Sequence, residues 1–213
     1  GVAIGLNGSL NATIGNPKQF EVASNMNLRT KKINIFSNIA YRNRTGPGKF
    51  LTRLSVIENE IVNSQRIEKR DFERIRDGYN INLGLEYFIS KRSSITGSFF
   101  YRDADNKNLS INNISVFDIS GILDTSDVRI QDEDEIDTTS QFSFNYTNNI
   151  SSDGHKLTID FQYSDSEEIE TAFINDSLSL ENNSTTENSK STLLQSDYIL
   201  PIGINTQFEA GYR

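Results

Sequence analysis

Nine segments of about eight to twelve residues, in which apolar and polar side chains alternate, constrain this chain more than any other feature. In Val2 to Thr13, the residues Val2, Ile4, Leu6, Leu10 and Ala12 alternate with Ala3, Gly5, Asn7, Ser9, Asn11 and Thr13. A period of two puts the two sets on opposite faces of a strand. The same pattern runs through Lys18 to Arg29, Ile33 to Arg42, Tyr79 to Ile89, Ser94 to Arg102, Ser140 to Thr147, Lys156 to Tyr163, Ser191 to Ile199 and Ile204 to Arg213. No helical stripe lies between them, and Asn and Ser, each about one residue in nine, compete with helix hydrogen bonds. The chain is predicted to be all-β.

The connections alternate in length. Thr30 to Lys32, Ser90 to Ser93, Asn148 to His155 and Leu200 to Gly203 are short, whereas residues 43–78, 103–139 and 164–190 are long. If consecutive strands pair antiparallel, the long connections share one end of the sheet with the short Ile14 to Pro17. That segregation belongs to outer-membrane barrels, which have short periplasmic turns and long extracellular loops. A soluble sandwich has no reason for it. No run of eighteen apolar residues is present, which excludes a transmembrane helix.

The apolar phase of the strands, with Phe20, Val22, Met26 and Leu28 or Tyr79, Ile81, Leu83, Leu85 and Tyr87 as examples, carries no charged residue. A lipid-facing Arg or Lys near the midplane costs about 2–4 kcal/mol, so a barrel requires this. All eight tyrosines, Tyr41, Tyr79, Tyr87, Tyr101, Tyr146, Tyr163, Tyr198 and Tyr212, fall in this phase close to strand ends. They are the candidates for an aromatic girdle at the membrane interface. The opposite phase holds Asn25, Asn38, Arg42, Asn82, Arg102, Asp160 and Gln162, side chains suited to a wet lumen. Phe36, Phe88 and Phe100 depart from it and are expected against a plug or folded-in loop.

Single-chain bacterial barrels have even strand numbers, so nine strands read as part of a larger barrel. On this reading residues 1–213 are a partial outer-membrane β-barrel domain, with long extracellular loops near 43–78, 103–139 and 164–190.

Chemistry is sparse. The chain has no Cys and one His, so thiolate metal sites and Cys nucleophiles are absent. His155 sits in the tight turn after Asp153 and Gly154, away from any nucleophile, so no enzyme is expected. Asp124, Asp127, Asp132, Glu133, Asp134, Glu135 and Asp137 could offer oxygen ligands to calcium, with Asp132, Asp134 and Asp137 as the metal candidates. They lack the spacing of a calcium loop, and a solvated charged segment is the expected role. No cofactor is expected. Basic residues of 43–78 are interleaved with acids, which excludes a nucleic-acid stripe.

The stretch from Asn27 to Arg44, with its Thr30-Lys31-Lys32 turn and closing Tyr41-Arg42-Asn43-Arg44, resembles the early barrel of TonB-dependent receptors of Bacteroidota-type bacteria. So do Asp77 to Asp103, with Leu83-Gly84-Leu85-Glu86-Tyr87-Phe88, and Leu194 to Arg213, with Phe208-Glu209-Ala210-Gly211-Tyr212-Arg213. The resemblance implies a 22-stranded barrel closed by a plug, embedded in outer-membrane lipid. It implies capture of a scarce nutrient at the extracellular loops and import driven by TonB, with plug and TonB as partners. An assembly or export barrel, or a soluble extracellular β-sandwich binding module, are the alternatives.

Net charge is divided along these lines. The three long connections hold 11 Lys and Arg against 23 Asp and Glu, so the overall charge of −8 comes from acidic segments on one side of a slightly basic wall.

Overall fold

The structure is a computed structural model that describes residues 5–203 and 206–213. Val2, Ala3 and Ile4 of the first expected segment, and Ile204 and Asn205 of the ninth, lie outside the described residues.

The chain forms one antiparallel sheet of nine strands in sequence order, each paired with the next. The strands are β1 (Gly5–Gly15), β2 (Gln19–Arg29), β3 (Ile33–Glu58), β4 (Ile61–Phe88), β5 (Ser93–Phe117), β6 (Leu123–Asn149), β7 (Lys156–Asn175), β8 (Leu180–Pro201) and β9 (Gln207–Tyr212). The fold is all-β, and no helix occurs among the described residues. The sheet is not closed; β1 and β9 are its edges.

At one end the strands stop where the alternation stops, because local polar side chains close the turns. Thr30 Oγ1 accepts from the N–H groups of Lys32 and Ile33 at 3.3 and 3.0 Å, and Ser90 Oγ accepts from those of Arg92 and Ser93, both at 3.1 Å. Side-chain oxygens bonded to nearby backbone N–H groups are the usual device of tight turns.

At the other end the structure corrects the expected loops. Residues 43–78, 103–139 and 164–190 are not open loops: most of each continues the ladder, so that β3 and β4 stay paired from Ile33↔Tyr87 to Glu58↔Ile61. The β3–β4 tip is only Asn59 and Glu60, at φ of 51° and 67°. Positive φ at both central residues is the geometry whose twist suits a two-residue hairpin. Asp118 and Asp176 close the next two tips, Asp176 Oδ1 accepting from the N–H groups of Leu178 and Ser179 at 3.0 and 2.8 Å. Those two N–H groups hold the Asp176 carboxyl below the usual carboxylate range. Past the tyrosines apolar side chains fall on both faces, Phe50 and Leu54 on one side of β3 and Leu51 on the other, so hydrophobic period no longer marks the strand although backbone pairing continues.

A single sheet has no interior, and burial shows which way it faces. The buried residues, Gly84, Ala104, Ser110, Asn112, Ala172 and Ile174, all project from the polar face. The large exposed apolar side chains between the tyrosine rows, including Leu28, Ile35, Leu83, Leu85, Phe142, Phe144, Phe161 and Leu194, project from the other. A soluble sandwich crowds its apolar side against a second layer. Here the apolar side is bare and the polar side is crowded, as on the inside of a curling sheet.

Candidate functional site

Register aligns the apolar side chains into rows across the sheet. One row runs Leu6, Leu28, Ile35, Leu85, Gly97, Phe144, Phe161 and Leu194, each directly opposite the next. Another carries Met26, Ser37, Leu83, Phe99, Phe142 and Tyr163, with the Phe99 and Phe142 rings 4.8 Å apart. No charge interrupts either row.

The tyrosines bound this band on both sides. On the hairpin side, Tyr41 lies opposite Tyr79, whose ring centroid is 6.0 Å from that of Tyr101; the border steps inward from strand to strand, Tyr101 lying in the row of Ile81 and Tyr163 in that of Leu83. On the turn side, Tyr87 and Tyr146 share a row with Ile33, Ile95, Ile159, Ser196 and Tyr212, and Tyr198 lies one step closer to the turns. Tyr79 and Tyr87 are eight residues apart on β4, about 27 Å of strand at ~3.3–3.4 Å per residue, which fits a tilted crossing of the hydrocarbon.

The hydroxyls point out of the band at both ends. Tyr41 Oη donates to Asp77 Oδ2 at 2.7 Å, Tyr101 Oη to Asp103 and Tyr163 Oη to Asp165, both at 3.4 Å. Each aspartate lies just beyond the ring on the hairpin side. At the opposite end, Tyr198 Oη meets His155 Nε2 at 2.8 Å, beside the β6–β7 turn. Rings turned toward apolar neighbours with hydroxyls directed outward are what the two water-facing borders of a membrane require. The aspartate partners were not anticipated; the pairing of an Asp two residues outside a Tyr, in Asp77/Tyr79, Tyr101/Asp103 and Tyr163/Asp165, is their signal in the sequence.

The polar face is a hydrogen-bonded lattice. Asn38 Nδ2 donates to Asn25 Oδ1 at 2.6 Å, Asn27 Nδ2 to Asn34 Oδ1 at 2.9 Å, Asn145 Nδ2 to Asp160 Oδ1 at 2.6 Å and Gln162 Nε2 to Gln141 Oε1 at 3.2 Å. Arg42 grips Glu21 through two bonds of 3.0 Å, and Arg102 Nη2 reaches Asp137 Oδ2 at 3.2 Å. Two of the three displaced phenylalanines are held by the wall itself. Phe36 lies over Gly84, where a Cβ would come within 2.0 Å of the ring, and Arg29 stacks on Phe88 at 5.0 Å. An aromatic ring covering a cross-strand glycine restores packing that glycine cannot supply.

The metal candidates do not converge. Asp132 and Asp134 project from the outer face, where Lys107 pairs with Asp134 at 3.4 Å, whereas Asp137 projects from the polar face toward Arg102. Strand alternation separates them, and among the described residues no group of three or more His, Cys, Asp or Glu side chains is arranged to hold a metal. Carboxylates do crowd elsewhere on the polar face. Asp137, Glu168 and Glu187 are directly opposite one another across β6, β7 and β8, with Glu135 opposite Glu170 in the next row. Glu135 above all, then burial, then Glu187, Asp137 and Glu170 push the Glu168 carboxyl above its usual range.

No curated protein matches the chain. Residues 148–213, which contain β7, β8 and β9, match the family model described as the outer membrane protein beta-barrel family. Taken with the bare apolar band, its two tyrosine borders and the crowded polar face, this match makes the chain an antiparallel β-barrel wall of the outer membrane.

Proposed function

We propose that this wall belongs to a TonB-dependent receptor of a Bacteroidota-type bacterium, which takes up a scarce nutrient through a plugged barrel larger than nine strands. The observation that carries the reading is the opposition of the two faces. A bare apolar face fits lipid, and a face of amides, guanidiniums and carboxylates fits a wet passage. The uncovered backbone edges of β1 and β9 would be untenable in hydrocarbon, which favours further strands pairing with them. The long hairpins on one side suit ligand capture. The chain acts by binding and passage, without a catalytic step.

The test is growth on limiting nutrients of strains lacking this gene or lacking TonB. The proposal requires the same nutrient-specific defect in both. A defect of the gene deletion that the TonB deletion does not share, or an outer membrane deficient in other surface components, would instead identify an assembly or export barrel.

A further inference from the structure

The guanidiniums of β3 and β4 are not all compensated. Arg44 lies directly opposite Arg76 on the polar face, and neither forms an ion pair among the described residues. Like charges directly opposed across two strands oppose pairing. Immediately below them the wall is hollowed. Arg42 faces Gly78, Gly78 faces Ala104, and Ala40 faces Asn80, so small residues floor a depression whose rim carries Arg42, Arg76, Arg102 and the ring of Phe100. The floor cannot fill in: a Cβ on Gly78 would stand 2.6 Å from the Asp103 carbonyl oxygen.

Two of the rim guanidiniums are already oriented, Arg42 by Glu21 and Arg102 by Asp137, while Arg76 is left with its donors unclaimed by any carboxylate. The carboxylate at the far rim, Glu135, is occupied by Asn106 Nδ2 at 3.0 Å. Above the depression the same face of the hairpin offers Arg74, stacked on Phe72 at 4.7 Å, and Phe50, 5.7 Å from Phe72. Planar guanidinium forks match carboxylate and phosphate oxygens two at a time, and fixing the forks in advance lowers the ordering cost of binding.

We infer that this depression, with Arg76 on its rim over Gly78 and Ala104, is a binding site for a small ligand bearing two or more oxyanion groups, carboxylate or phosphate. The inference names the chemical class of the solute and rests on the reading of the polar face as the lining of an uptake route.

Citrate and pyrophosphate serve as probes, titrated calorimetrically into the full-length protein purified in detergent, with glucose as the neutral control. At least one oxyanion is expected to bind, and whichever binds more tightly identifies carboxylate or phosphate as the group read. Arg76→Gln should weaken binding about tenfold or more, as loss of a charged hydrogen-bonding partner does. Ala40→Leu, which extends a side chain from the floor into the depression, should do the same, whereas Arg53→Gln on the outer face of β3 should leave binding unchanged. Heat-modifiable migration on gels checks that each variant is folded. Absence of binding by both oxyanions, or equal weakening by Arg76→Gln and Arg53→Gln, overturns the inference. Binding in detergent needs no energy coupling. Failure here therefore leaves TonB-dependent uptake standing, and oxyanion binding by a protein whose uptake ignores TonB overturns only that reading.

Discussion

The hydroxyl of Tyr198 on β8 lies 2.8 Å from Nε2 of His155, and the two rings meet edge to face at 81° with centroids 5.3 Å apart. This pair ties the β6–β7 turn to the next strand at the turn-side border of the band. Tyr198→Phe keeps the ring and removes the hydrogen bond, so it should lower stability by about 1 kcal/mol. Urea unfolding of the full-length protein in phospholipid vesicles measures it, and His155→Ala in the Tyr198→Phe background should add less than it does alone.

The two faces should respond oppositely to the same charge. Leu83 is midway between Tyr79 and Tyr87 on the apolar face, and Asn82, its neighbour, is on the polar face. Leu83→Arg should cost about 2–4 kcal/mol in vesicle-based unfolding, whereas Asn82→Arg should stay within about 1 kcal/mol. Equal costs would place lipid on both faces or on neither.

Two glycines should part company when a methyl is added. Gly84→Ala drives a Cβ into the Phe36 ring and should destabilise by about 1–3 kcal/mol. Gly97 has no atom within 4 Å of an added Cβ, so Gly97→Ala should stabilise by about 0.5–1 kcal/mol through lower backbone entropy in the unfolded chain. The same unfolding assay ranks them.

The carboxylate cluster gives a pH dependence of definite sign. The folded-state Glu168 carboxyl is raised, so the folded protein holds that proton at pH values where the unfolded chain has released it. Repulsion therefore develops as pH rises from the ordinary glutamate range through the raised value, and acidification back through that window relieves it. Hydrogen exchange at the β6–β8 backbone should show Glu168→Gln more protected than the natural protein at pH 7, with the difference shrinking toward pH 4. A difference that grows on acidification would contradict the geometry.

Glu60 occupies the left-handed region at φ 67°, where a side chain costs about 1–2 kcal/mol relative to glycine. Glu60→Gly should accordingly slow exchange at the amides flanking the β3–β4 tip.

How much of this was legible before the structure depended on where water meets apolar surface. Between the tyrosine borders one face is apolar, so alternation marked the strands, and the turn-side ends at Arg29, Ile33, Phe88 and Lys156 fell within a residue or two of expectation. Beyond Tyr41 and Tyr79 both faces meet water. Pairs such as Lys49↔Asp71 and Asn106↔Glu135 then sit in the ladder with no one-sided hydrophobic rhythm, so the sequence of these strands reads as loop. The tyrosine positions were readable because they end an apolar run, but the direction of their hydroxyls required knowing that Asp77, Asp103 and Asp165 share their face. Phe36 reads as a plug contact in sequence because a one-dimensional pattern does not show that Gly84 lies across from it. The Arg76 depression depends on register across three strands, and no local motif carries it.

The paired hairpins change what the long-hairpin side of the sheet presents to water. From Tyr41 to Glu58, β3 runs about 55 Å beyond the tyrosine border, braced along its length by β4. A slack connection of that size would sweep a broad volume and be clipped readily by proteases. A braced ribbon behaves as a post. Its Asn59–Glu60 tip stands at a set height beyond the tyrosine border, while trypsin sites such as Arg66, Lys69 and Arg70 are paired into the ladder.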